Sequence, residues 1–187
     1  AMRRGWRVAV GDDGMIIAVG GDLPGAAESL DGVLLPGFVN AHSHAFQFAL
    51  RGATERFHAE PSNFWGWREA MYHLVEGLDA DRCYQASRAA FDEMIRHGIT
   101  TVGEFHYVRH VEPGDFELDE AVIQAAESSG IRMVLLTACY RTGDIGQSLA
   151  GAQTRFDSGA VDAYLERLDV LTDRLASPLQ NPGIVAH

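Results

Sequence analysis

The chain has 187 residues, 47% hydrophobic and 22% charged, enough for one domain with a substantial core plus a small appendage. A formal charge of −11 argues against a nucleic-acid partner, which needs clustered Lys and Arg; solubility alone accounts for the charge, which therefore selects no substrate. No apolar run approaches the roughly 20 residues that span a bilayer, and no basic-then-apolar leader marks a signal peptide, so no membrane partner is expected.

Taken in chain order, residues 6–10 and 15–20 read as two short strands joined by Gly11-Asp12-Asp13-Gly14, where Asp-Gly supplies the positive φ of a tight hairpin. Residues 21–29, rich in Gly, Pro and Ala, read as loop. From residue 34 the chain alternates strand and helix. Strands are expected at 35–41, 100–107, 132–140 and 183–187. Helices are expected at 63–76; at 79–97, with an Asp cap and Gly98 beyond its end; at 117–129, stopped by Gly130; and at 159–176. In the second helix Cys83, Ala86, Ala90, Phe91, Met94 and Ile95 share a face. In the fourth, Val161, Tyr164, Leu165, Leu168, Leu171 and Leu175 do. The alternation predicts an α/β protein with a parallel sheet; it does not separate a barrel from an open sheet. Cys83 and Cys139 have no metal or disulfide spacing and read as buried free thiols in a reducing cytoplasm.

The first long strand ends in Asn40-Ala41-His42-Ser43-His44. In an extended backbone, positions i and i+2 point to one side, so both imidazoles can converge on a divalent metal. Spacing alone is weak, since His-x-His also arises by chance as surface or core histidines. Gln47 follows within a short turn; its amide both donates and accepts, and a solvated loop glutamine is the plain reading. Arg68 lies among Phe64, Trp65, Trp67 and Tyr72. An amphipathic helix that packs Phe64 and Trp65 and exposes Arg68 is the plain reading; a guanidinium among aromatics also suits a carboxylate. In the second long strand, parity puts Glu104 and His106 on one face and Tyr107 on the other. Glu104 is expected to be a barrel-interior acid held by hydrogen bonds, and His106 is left open. His58, His73, His97 and His110 have no partner spacing and read as surface or capping residues.

Three blocks resemble the amidohydrolase superfamily and, within it, the formimidoylglutamate deiminase family: Asn40 through Gln47, Phe64-Trp65-Gly66-Trp67-Arg68-Glu69-Ala70-Met71-Tyr72, and Glu104-Phe105-His106-Tyr107. Tyr140 with Gln153-Thr154-Arg155-Phe156 is similar too. The resemblance implies the first half of a (β/α)₈ barrel, residues 34–187, with residues 1–33 a fragment of a small β-sandwich domain. A whole barrel typically needs about 250 residues, so the rest of it is expected outside these residues. The resemblance further implies His42 and His44 as metal ligands, with one divalent ion, zinc, as cofactor. Gln47, Arg68, Tyr107 and His187 are implied as substrate contacts. The proton-moving glutamate and histidine fall on later strands, so no catalytic residue is expected within this chain.

The implied activity of the complete enzyme is hydrolysis of N-formimino-L-glutamate, a small dicarboxylate amidine, to N-formyl-L-glutamate and ammonia. The step belongs to cytoplasmic histidine degradation and is implied for a homodimer. Two alternatives stand beside it. One is a deaminase of a heterocyclic amidine of guanine, cytosine or pterin type, which has no use for Arg68 as a carboxylate clamp. The other is a catalytically silent half barrel.

Overall fold

The computed structural model describes residues 3–52, 64–109 and 114–187. Contacts divide the chain into two units, Ala1–Pro36 and Gly37–His187. In the first unit, β1 (Arg7–Val10) pairs antiparallel with β2 (Ile16–Gly20). Gly14 takes φ 76° in the connecting turn, a value open to glycine at no steric cost. The Arg7 guanidinium donates to the Leu23 and Gly25 carbonyls at 2.8 and 3.0 Å, which tethers the glycine-rich loop to the hairpin.

The second unit is a four-stranded parallel sheet with strands in sequence order: β3 (Phe38–Ser43), β4 (Ile99–His106), β5 (Arg132–Cys139) and β6 (Gln180–Ala186). Between strands lie α1 (Phe64–Glu76), α2 (Ala80–Arg96), α3 (Glu117–Ser129) and α4 (Val161–Arg174). An open doubly wound sheet reverses strand order at a switch point. This sheet advances by one neighbour at each step, as a barrel wall does.

Local chemistry explains the boundaries. Asp79 caps α2 by accepting the Arg82 N–H at 2.8 Å, and Gly98 follows the helix at φ 81°. Gly130 ends α3 in the left-handed region at φ 74°. His97 Nδ1 lies 2.9 Å from the Glu93 carbonyl, and His73 is exposed near Glu76; His58 and His110 lie outside the described residues.

The core lies between the sheet and α2–α3, around Phe91, Val102, Leu118, Val122, Ile131, Met133 and Leu135. Several expectations are corrected. The first long strand begins at Phe38 rather than residue 35, because Pro36 and Gly37 interrupt it and Phe38 is the first residue to bond to its neighbour, donating to Gly98 at 2.8 Å. Ile95, Val161 and Leu165 are exposed, since α2 and α4 bury narrower stripes than their apolar spacing suggested. Ser87, by contrast, is fully buried on α2. Two 3₁₀ turns, Ala45–Leu50 and Gly151–Phe156, stand where no regular element was expected.

Candidate metal centre and substrate pocket

His42 lies near the end of β3 and His44 just beyond it, and their rings meet edge to face with Nε2 atoms 3.0 Å apart. The local backbone is irregular: Asn40 pairs with Val102 but Ser43 with Glu104, so three steps on β3 match two on β4. Such bulges re-aim side chains next to functional sites. His44 Nδ1 lies 3.0 Å from the Phe105 carbonyl; because a carbonyl only accepts, Nδ1 carries the proton and Nε2 keeps its lone pair. Burial depresses the His44 pKa, opposed by that carbonyl bond and assisted by nearby His42 and His187. The ring is thereby favoured in the neutral form that binds metal.

The donor set fits a divalent ion of the zinc class. Two imidazole nitrogens each about 2.0–2.1 Å from one tetrahedral ion would stand about 3.3 Å apart, a few tenths of an ångström beyond the 3.0 Å seen here. Among the described residues no group of three or more His, Cys, Asp or Glu side chains gathers at one point. His42 and His44 could supply two ligands of a coordination sphere, and the remaining ligands would have to come from elsewhere.

Around the imidazoles is an aromatic wall. Phe105 lies 5.4 Å from His42, 5.1 Å from His44 and 6.3 Å from His187, ring centre to ring centre. Tyr107 stands 5.1 Å from His44 and 4.9 Å from Phe156. Its hydroxyl accepts the Gln47 amide at 2.8 Å, and burial pushes its pKa well above the ordinary phenol value. His187 stacks on Tyr140 at 4.1 Å. Thus His42, His44, Gln47, Tyr107 and His187 gather at the C-terminal ends of the parallel strands.

Arg68 is more remote. On α1 it lies 4.6 Å over Trp65 and 5.4 Å over Tyr72, and Tyr72 in turn packs on Phe156 at 6.2 Å. The half-buried guanidinium has no carboxylate partner among the described residues and bonds to none of the other five. Phe64 and Trp65, expected to pack, are exposed and rest on each other at 5.4 Å.

Parity separates Tyr107 from Glu104 and His106, as the strand alternation predicts. Glu104, however, does not share the imidazoles' face. It lies opposite Phe105, beside Ser43, and is wholly buried. Its Oε1 accepts the Ala45 N–H at 2.7 Å; burial raises its pKa to about 7 despite that bond and the nearby Ser43 hydroxyl. Glu104 thus braces the turn that carries Gln47. His106 is buried 3.5 Å from Asp119, and burial pushes its pKa down to about 4 against the pull of that carboxylate. Asp119 also meets the Arg167 guanidinium. His106 therefore belongs to the packing beneath α3 and α4. Phe105 and Phe156 line this aromatic wall and were not singled out in the sequence; the blocks containing them were the only signal.

Fold and site together define part of the wall of a βα-barrel, with two converging imidazoles at the C-terminal ends of its strands. The Amidohydrolase family sequence profile matches residues 33–177, and the chain belongs to that family. Formimidoylglutamate deiminase of Pseudomonas aeruginosa is 37% identical over 190 residues, covering 96% of this chain and 41% of its own length. An isoxanthopterin deaminase from an unknown prokaryotic organism is 30% identical, covering 90% of this chain and 35% of its own length. The crystal structure of an amidohydrolase from Brucella melitensis superposes with TM-score 0.80 at 28% identity, over 97% of this chain and 42% of that one. An adenosine deaminase from Xanthomonas campestris, solved with bound zinc, shares the fold at TM-score 0.66 and 21% identity, over 98% of this chain and 38% of that one. The chain spans about two-fifths of the length of these relatives.

Proposed function

We propose that this chain is part of a metal-dependent amidohydrolase that deiminates N-formimino-L-glutamate, adding water to the formimino carbon and releasing ammonia and N-formyl-L-glutamate. The observation that carries the reading is Arg68, a half-buried cation with no carboxylate partner among the described residues, on the aromatic wall that surrounds a converging pair of imidazoles. Such a cation suits a substrate that brings its own carboxylate. The likeness to the Pseudomonas deiminase supports the same choice.

In this reading His42 and His44 hold the ion, and His44 is kept in the ligating tautomer by the Phe105 carbonyl. A bound zinc ion lowers the pKa of water toward about 7, supplying the nucleophile at neutral pH. Arg68 and Tyr107 hold the carboxylate end. Gln47, oriented by Tyr107, and His187, held flat on Tyr140, address the formimino end. The aromatic walls also suit a planar ring, and the isoxanthopterin deaminase relative favours a heterocyclic amidine as the second reading.

Ammonia release by the full-length protein separates the two. N-formimino-L-glutamate is expected to be turned over and a pterin or adenosine substrate rejected. Chelation should abolish the activity and zinc restore it. Preference for the heterocycle, or activity indifferent to chelation, refutes the proposal.

A further inference from the structure

Arg155 sits in the 3₁₀ turn between β5 and α4, outside the residues assigned to metal or substrate. Its guanidinium spends its donors on backbone. Nε donates to the Arg109 carbonyl at 2.8 Å, and Nη1 and Nη2 donate to the Val75 and Leu78 carbonyls, each at 2.9 Å. The Arg109 N–H returns a bond to the Arg155 carbonyl at 2.7 Å. Three segments distant in sequence are thus joined at one planar group: the end of α1, the exit of β4, and the turn itself. No carboxylate pairs with Arg155 among the described residues, so its fork geometry is used more than its charge. Val75 and Leu78 lie at and just past the end of α1, where helical carbonyls lack intrahelical partners and a cation is favoured.

Each joined segment carries part of the pocket. Arg68 lies seven residues before Val75 on α1, about 10 Å along a rigid helix, so a slip of the helix end moves Arg68 with it. Tyr107 lies two residues before Arg109. Phe156, next to Arg155 and almost wholly buried, touches Tyr107 at 4.9 Å, Tyr140 at 5.3 Å and Tyr72 at 6.2 Å.

We propose that Arg155 is a positioning residue that sets the separation between Arg68 and Tyr107 by locking the end of α1 to the exit of β4. It rests on the deiminase reading, in which those two side chains hold the carboxylate end of the substrate. Lysine keeps the charge but cannot reach three carbonyls in one plane.

The test compares Arg155→Lys with the parent in the full-length protein, by amide exchange and steady-state kinetics. Exchange is expected to accelerate at the Arg109 amide and at Gly77 and Leu78 together, while α2 and α3 are unchanged. KM for N-formimino-L-glutamate should rise at least about tenfold with kcat within about threefold, since small misplacement of a substrate-holding group is costly. Metal content should not change. Parent-like exchange at those amides overturns the proposal. So does a fall in kcat at constant KM, or a variant recovered only unfolded, which assigns Arg155 to the core alone. If the parent itself does not turn over this substrate, the deiminase reading fails, and the exchange data alone judge Arg155.

Discussion

Glu104 and His106 share one face of β4, and their protons pull stability in opposite directions. The folded state holds the Glu104 proton up to about pH 7, against an ordinary 4.5. Between those values the folded state binds more protons, so the Glu104 contribution falls as pH rises. His106 has its folded pKa lowered from 6.5 to about 4, so its contribution is complete above 6.5 and fades as pH drops toward 4. The two nearly cancel from pH 4.5 to 6.5. Glu104→Gln removes the first alone, while its amide oxygen can still accept the Ala45 N–H. Relative to the parent, the variant should therefore gain on the order of 2–3 kcal/mol between pH 4.5 and 8. Urea unfolding of both proteins at the two pH values reads this; a pH-independent difference refutes it. Arg68 gives a second prediction. Charge-assisted hydrogen bonds contribute on the order of 1.5–3 kcal/mol, so Arg68→Met in the full-length protein should cut kcat/KM for N-formimino-L-glutamate at least about tenfold. Metal content should stay constant, and equal turnover by the two proteins contradicts the assignment. At this scale the sequence was legible where chemistry is local: the i, i+2 spacing put His42 beside His44, although a bulge interrupts β3 and His44 lies just past it, and alternation parted Tyr107 from Glu104. Which face looks inward is a tertiary fact, and it put Glu104 on the side opposite the one expected.

Among the elements, β3 matters most because His42 lies on it and His44 directly follows it, and its fit against β4 is tight. A β-carbon at Gly103 would lie 2.9 Å from the Ala41 carbonyl oxygen and 3.3 Å from Leu136 Cδ1. The first neighbour is backbone, so it yields only if β3 moves. Gly103→Ala should therefore destabilise the chain by about 1–3 kcal/mol, the range for overpacking, and should weaken metal binding because Ala41 adjoins His42. Calorimetry with zinc and urea unfolding would check both; an unchanged midpoint contradicts the close approach. The helices were well marked in the sequence because capping and stop signals are local: Asp79, Gly98 and Gly130 act where they were read. The 3₁₀ turns were not. Each is six residues long, too short for a periodic signal, and each depends on distant atoms: Ala45 on Glu104, and Arg155 on Arg109, Val75 and Leu78. The bulge at Asn40–Ser43, within which the Asn40 side-chain oxygen accepts the His42 N–H at 3.3 Å, was not expected either, because it shows only in the register against β4.

For the molecule as a whole, the consequential feature is that β3 and β6 are each paired on one side only among the described residues. Both edges carry exposed apolar side chains: Phe38 at 61%, Val39 at 67% and Ile184 at 59%. An unpaired, apolar edge is a template for another strand. The opposing force is the chain's own charge of −11, which repels a second copy over a distance set by salt. That distance is about 10 Å at 0.1 M ionic strength and about 3 Å at 1 M, shorter than the separation of most charges on two docked chains. The 187-residue chain is therefore expected to sediment as a monomer in dilute buffer and to self-associate as salt approaches about 1 M. Replacing Val39 and Ile184 by Glu removes apolar edge surface and adds a desolvation cost at each edge that screening does not abolish. The double variant should stay monomeric at both salt concentrations. Sedimentation velocity over a concentration series distinguishes the cases: equal association of parent and variant, or a parent that stays monomeric in high salt, would show that the edges are not what drives these chains together.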